Sequence, residues 1–114
     1  MIHAMAAARR LAIPEGAVLA LEDVGEAPYR VDRMLTSLLL GDYLSSVSAV
    51  VFGHFHRCRP GPDGRSVEEV LRERTRDLGI PVLAGAPFGH DAHNEAFILG
   101  SKARVDGDAL FFGQ

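Results

Sequence analysis

The sequence predicts an α/β fold that closes in a C-terminal β-hairpin. Three observations carry this. Short apolar runs bounded by turn residues alternate with stretches of helical periodicity. Pro and Gly stand at the boundaries between them. The C-terminal residues alternate around an Asp106-Gly107 turn signal.

HAMAAARRL, residues 3–11, consists largely of good helix formers and is stopped by Pro14 and the Glu15-Gly16 turn. Ala17–Leu21 is short, apolar and flanked by turn residues, which suits a buried strand. Pro28 is placed to open a helix. Behind it Val31, Met34, Leu35, Leu38 and Leu39 repeat at helical spacing as far as Gly41. Val47–Phe52 reads as a second buried strand, and CRPGPDGRS as a loop dense in Pro and Gly. Ser66 with Glu69 three residues later forms a capping box, so a third helix is expected over Val67–Leu78, ended by Gly79. Ile80–Ala84 returns as a third strand. A loop rich in Gly, His and Asn follows over 85–96, then the hairpin.

With 114 residues the chain is expected to form one domain over 1–114, around one modest core. At 47% apolar and 24% charged it has the composition of a globular protein. A formal charge of −3, with basic and acidic residues spread along the chain, offers no nucleic-acid footprint. No apolar run is long enough to span a bilayer, and no secretory signal pattern opens the chain. A single cysteine, Cys58, precludes an internal disulfide and points to a reducing compartment, so a cytoplasmic location is expected.

Three groups could carry chemistry. Glu22 and Asp23 stand where the first strand ends, His90 lies in AGAPFGHDAHN after the third, and His54, His56 and Cys58 form H-x-H-x-C after the second. A carboxylate accepting from histidine Nδ1–H fixes the tautomer and stabilises the imidazolium, so Glu22 and His90 are a candidate base for a serine nucleophile. The competing reading pairs Glu22 with Arg30 or Arg33 and leaves His90 a solvated loop residue. Strand alternation would place His54, His56 and Cys58 on one face, as zinc ligands with His93; a wet strand edge is the alternative. The serines lack a G-x-S-x-G elbow, and no Gly-rich phosphate loop occurs. A carboxylate and a histidine without a nucleophile make an incomplete triad.

LALEDVGEAPYRVDRML, with its LEDV-x-E-x-PYR-x-DR-x-L pattern, then AVVFG, LRERTRDLGIPVLAGAPFGH and the Asn94–Gly100 step, resembles the C-terminal domain of the LD-carboxypeptidases over residues 13–112. These are serine peptidases that include muramoyl-tetrapeptide carboxypeptidase and the microcin C immunity peptidases. The resemblance implies a small swivelling β/β/α domain that supplies Glu22 and His90 to a Ser-Glu-His triad. The serine and the oxyanion hole would lie in an N-terminal domain with no counterpart in these residues. It implies release of terminal D-alanine from murein tetrapeptides during cell-wall recycling, with no metal or other cofactor and no activity from this chain alone. Tyr29 and Arg30 are expected near the cleft as substrate-binding residues. Arg30, Asp32, Arg33 and Asn94 also match the pattern, whereas His54 and His56 depart from it.

Two rival readings remain from the residues. One is a non-enzymatic module that binds murein peptides or forms a homodimer through the Met34–Leu39 helix. The other is a small metal-binding protein using His54, His56 and Cys58. MIHAMAAARRL reads as an interdomain stretch, so a fragment of a two-domain enzyme is the expectation.

Overall fold

Pro28, whose fixed φ suits a first helical position, opens helix α2 (Pro28–Leu40). Ser66 caps helix α3 (Val67–Thr75) by accepting from the Glu69 N–H at 3.1 Å. Before α2 come helix α1 (Ile2–Ala7) and strand β1 (Val18–Val24); β2 (Ala49–His56) separates α2 from α3. Strand β3 (Val82–Leu83) and the hairpin strands β4 (Ala103–Asp106) and β5 (Ala109–Phe112) complete the chain. This computed structural model describes residues 2–113, with His3 described in its backbone alone.

The three core strands form a parallel sheet in the order β1-β2-β3, and β4-β5 pair as an antiparallel hairpin. The core lies between the sheet and the helices. Leu19, Val50 and Phe52 from the sheet meet Val31, Leu35 and Leu38 of α2 and Val67, Val70 and Leu71 of α3. Phe52, Leu38, Val50 and Val70 are almost wholly buried, each contributing about 1.5–3 kcal/mol of apolar burial. The apolar stripe of α2 is therefore largely spent inside the domain. Of the Met34–Leu39 face expected to serve a homodimer, Leu35 and Leu38 are core residues, 5% and 1% exposed.

The α/β class and the hairpin stand as expected; several boundaries do not. α1 ends at Ala7 rather than Leu11, because Arg9 takes a φ of 55° outside the helical region. β1 continues to Val24 instead of stopping at Leu21, held by pairing of Asp23 with Phe55 and Val24 with His56. Glu22 is thus within the strand, not beyond it. β2 likewise runs on through His54 to His56. α3 stops at Thr75, whose hydroxyl donates back to Leu71 O at 2.7 Å while Leu78 N–H closes a tighter turn on Thr75 O. The hairpin turn is Gly107-Asp108, since Asp106 already pairs with Ala109; Gly107 supplies the positive φ, 61°.

Candidate active site

β1 and β2 slip out of register where Glu22 sits. Leu21 pairs with Phe52 and Asp23 with Phe55, so β2 carries one extra residue opposite Glu22. Such a bulge bends the ladder and re-aims side chains. The segment after β3 then climbs along β2: Ala86 N–H donates to Phe52 O at 3.1 Å, and His54 N–H to Phe88 O at 2.9 Å. Gly53 permits this approach, because a Cβ there would lie 2.5 Å from both the Phe88 ring and its carbonyl oxygen. Gly89 follows with φ 127°, packed so closely that a Cβ would meet His54 O at 3.1 Å and Glu22 Oε2 at 3.3 Å.

This path brings together two groups 68 residues apart: His90 Nδ1 lies 2.9 Å from Glu22 Oε2. A carboxylate is an acceptor, so the contact sets the proton on Nδ1 and leaves the Nε2 lone pair available. The imidazole is 56% exposed and the carboxylate 29%, so Nε2 can be reached from solvent. Among the described residues no hydroxyl is hydrogen-bonded to His90. Of the two competing partners for Glu22, Arg30 lies instead 3.7 Å from Glu26, four residues earlier, and no ion pair joins Arg33 to Glu22 among the described residues.

The H-x-H-x-C residues part company. His54 borders a 270 Å³ cavity between the end of β2 and the start of α3, with His56, Glu68, Gly85 and Asp91. Its Nδ1 is buried without a hydrogen-bond partner, and Asp91 Oδ2 stands 3.7 Å away. Cys58 lies past the strand, after a positive φ at Arg57, and enters the hydrophobic core at 7% exposure. Burial pushes its thiol pKa up, which disfavours the thiolate that metal binding or nucleophilic attack needs. The shared face expected of the three residues is lost because the strand ends at His56. Among the described residues no three His, Cys, Asp or Glu side chains are grouped to hold a metal ion. His93 pairs at 3.2 Å with Glu95 on the surface.

Comparison with known proteins decides the family. Residues 1–105 match the family profile described as the LD-carboxypeptidase C-terminal domain. The chain belongs to the LD-carboxypeptidase family. A Synechocystis sp. protein provisionally named a carboxypeptidase is 48% identical over 97 residues, covering 83% of this chain and 32% of that protein. The murein tetrapeptide carboxypeptidase of Pseudomonas aeruginosa is 34% identical, covering 85% of this chain and 32% of its own length. The crystal structure of muramoyltetrapeptide carboxypeptidase from Oxalobacter formigenes superposes with a TM-score of 0.79 at 30% identity, covering 96% of this chain and 40% of that one. The chain thus spans about a third of the length of the curated relatives it matches.

Seen as an LD-carboxypeptidase C-terminal domain, the PYR-x-DR pattern divides into bracing and surface residues. Asp32, 16% exposed, takes both Arg65, at 2.8 Å, and Arg74, clamping α2 to α3. Hydrogen bonding from Arg74 leads in holding its carboxyl below the usual carboxylate range. Tyr29 and Arg30 are exposed, with Arg30 Nε donating to Tyr29 Oη at 3.4 Å. With Glu26, Arg33, Met34 and Ser37 they line a shallow 350 Å³ groove along α2. No hydrogen bond or ion pair joins Tyr29 or Arg30 to Glu22 or His90 among the described residues.

Gly53 and Asp91 border the Glu22–His90 and His54 surroundings without being among the candidates that the sequence marks. An isolated Gly within a strand pattern is itself the signal of close backbone approach. Asp91 carried no such mark, since only the loop path brings it to His54.

Proposed function

We propose that this chain is the base-supplying domain of a serine-type LD-carboxypeptidase that releases terminal D-alanine from murein tetrapeptides in the cytoplasm, during cell-wall recycling. The supporting observation is the 2.9 Å contact between Glu22 Oε2 and His90 Nδ1, which leaves Nε2 without a partner. In this reading a serine hydroxyl gives its proton to Nε2 as it attacks the peptide carbonyl. Glu22 stabilises the imidazolium so formed, and His90 then passes the proton to the departing amine. The serine and the oxyanion donors are assigned to a separate N-terminal domain. The length of the relatives, about three times the matched segment, supports that assignment. Tyr29 and Arg30 are assigned to substrate, the guanidinium being suited to a peptide carboxylate. No metal or other cofactor takes part in these steps.

The test is D-alanine release from a murein tetrapeptide by this chain alone and by a longer protein that carries it. Release by the longer protein only is expected. Release by these 114 residues alone, or none by the longer protein, contradicts the proposal.

A further inference from the structure

Residues 84–102 contain no helix or strand, so no regular element aims His90. Its orientation depends on individual hydrogen bonds. Four are between main-chain groups: Ala86 N–H to Phe52 O, Phe88 N–H to Ala86 O, His54 N–H to Phe88 O, and Glu95 N–H to Pro87 O. A fifth comes from a side chain. Asn94 Oδ1 accepts from the Gly89 N–H at 3.3 Å, within the residue directly before His90.

Two features set this bond apart from ordinary turn chemistry. An Asn or Asp that merely shapes a turn bonds main chain close by, as Asp91 does in accepting from Ala92 N–H at 2.7 Å. Asn94 instead reaches back five residues, closing the loop that carries the imidazole. The residue it holds is also the most confined glycine of the segment, since a Cβ on Gly85 or Gly100 would meet nothing within 4 Å. A Cβ on Gly89, at φ 127°, would meet His54 O at 3.1 Å and Glu22 Oε2 at 3.3 Å. Rotation of its peptide would carry the His90 backbone, and with it Nδ1, away from the carboxylate.

We propose that Asn94 is a positioning residue for the Glu22–His90 pair, acting through the Gly89 amide to keep Nδ1 within hydrogen-bonding distance of Oε2. This rests on the reading of that pair as the base, so its test is made without turnover. The readout is the His90 tautomer in the protein, recorded by long-range ¹H–¹⁵N spectroscopy at a pH where the ring is neutral and assigned with His90→Gln. The Nδ1–H form dominates in the parent. Asn94→Ala shifts the population toward the mixture given by Glu22→Gln, and Asn94→Asp, which keeps an acceptor oxygen, restores it. A parent dominated by Nδ1–H with an unchanged tautomer in Asn94→Ala overturns the role of Asn94 and spares the pair. A parent without a dominant Nδ1–H form overturns both. Amide exchange in the parent gives a check that needs no variant: the Gly89 N–H is protected at least tenfold relative to free peptide. An unprotected Gly89 amide overturns the proposal.

Discussion

Glu22 is a half-buried carboxylate inside a strand that is apolar but for Asp23 beside it, a placement that costs stability unless the charge is partnered. Its partner is His90, brought within 2.9 Å by a loop that must pass very close to β2. Gly53 makes room for that passage. A Gly53→Ala substitution would place a methyl 2.5 Å from the Phe88 ring and carbonyl oxygen, so either the loop or the strand must shift. Overpacking of this kind costs about 1–3 kcal/mol. Urea unfolding should show that loss, together with a broadened His90 imidazole signal. A Gly53→Ala protein as stable as its parent would mean that Phe88 does not seat on this glycine. His54 presents a related case, since its buried Nδ1 meets only Asp91, at 3.7 Å. His54→Phe removes that unsatisfied nitrogen while keeping an aromatic ring. It should leave stability within about 1 kcal/mol of the parent, because deleting an unpaired polar atom offsets the imperfect shape match. A loss well beyond that in thermal unfolding would show that the imidazole makes a bond in solution.

At the scale of elements, α2 and α3 are joined by apolar packing and by the clamp of Arg65 and Arg74 on Asp32. The Asp32 carboxyl is held below its ordinary 3.8 chiefly by Arg74. As pH falls below that value, the unfolded chain takes up this proton before the folded one does. The clamp's contribution is therefore complete above about pH 5 and is lost as pH drops through the folded value. Asp32→Asn should cost about 1–3 kcal/mol at pH 7, and the gap from the parent should narrow at pH 3 in urea midpoints. An equal gap at both pH values would show that the charge of Asp32 is not what joins the helices. This is also the scale at which the sequence is most readable. Val31, Leu35 and Leu38 mark the buried face of α2 by periodicity alone, and Ser66 with Glu69 marks the start of α3. Strand ends are less readable, because β1 and β2 are extended by pairing with each other rather than by their own composition. Spacing alone favours Arg30 or Arg33 as the partner of Glu22, and only the family resemblance points to His90. The register shift and the glycine-lined loop path decide it, and both are tertiary. The metal reading failed for a similar reason: alternation past Phe52 cannot reveal that the chain turns at Arg57 and buries Cys58.

Across the whole molecule, a line of aromatic rings ties the hairpin to the site. Phe88, seated over Gly53, meets Phe97 edge-on at 5.3 Å, and Phe97 stacks on Phe112 of β5 at 5.4 Å. Such pairs add about 0.5–1.5 kcal/mol each beyond their burial, so the hairpin is a brace for the His90 loop as well as a chain end. Beside it, Ile98 and Leu99 are 77% and 83% exposed and flank a 700 Å³ groove that also borders β1. Among the described residues no helix is long and apolar enough to cross a membrane.

In the proposed function Glu22 orients His90 for a serine supplied from outside this chain. Its most direct test is the turnover of a longer LD-carboxypeptidase carrying this domain, with Glu22 replaced by Gln and D-alanine release measured. The amide keeps the size of the side chain but removes the charge that supports the imidazolium. A fall in kcat of about a thousandfold or more, with KM little changed and the fold intact, is the predicted result. Full turnover in the Glu22→Gln enzyme would remove Glu22 from the mechanism and contradict the account.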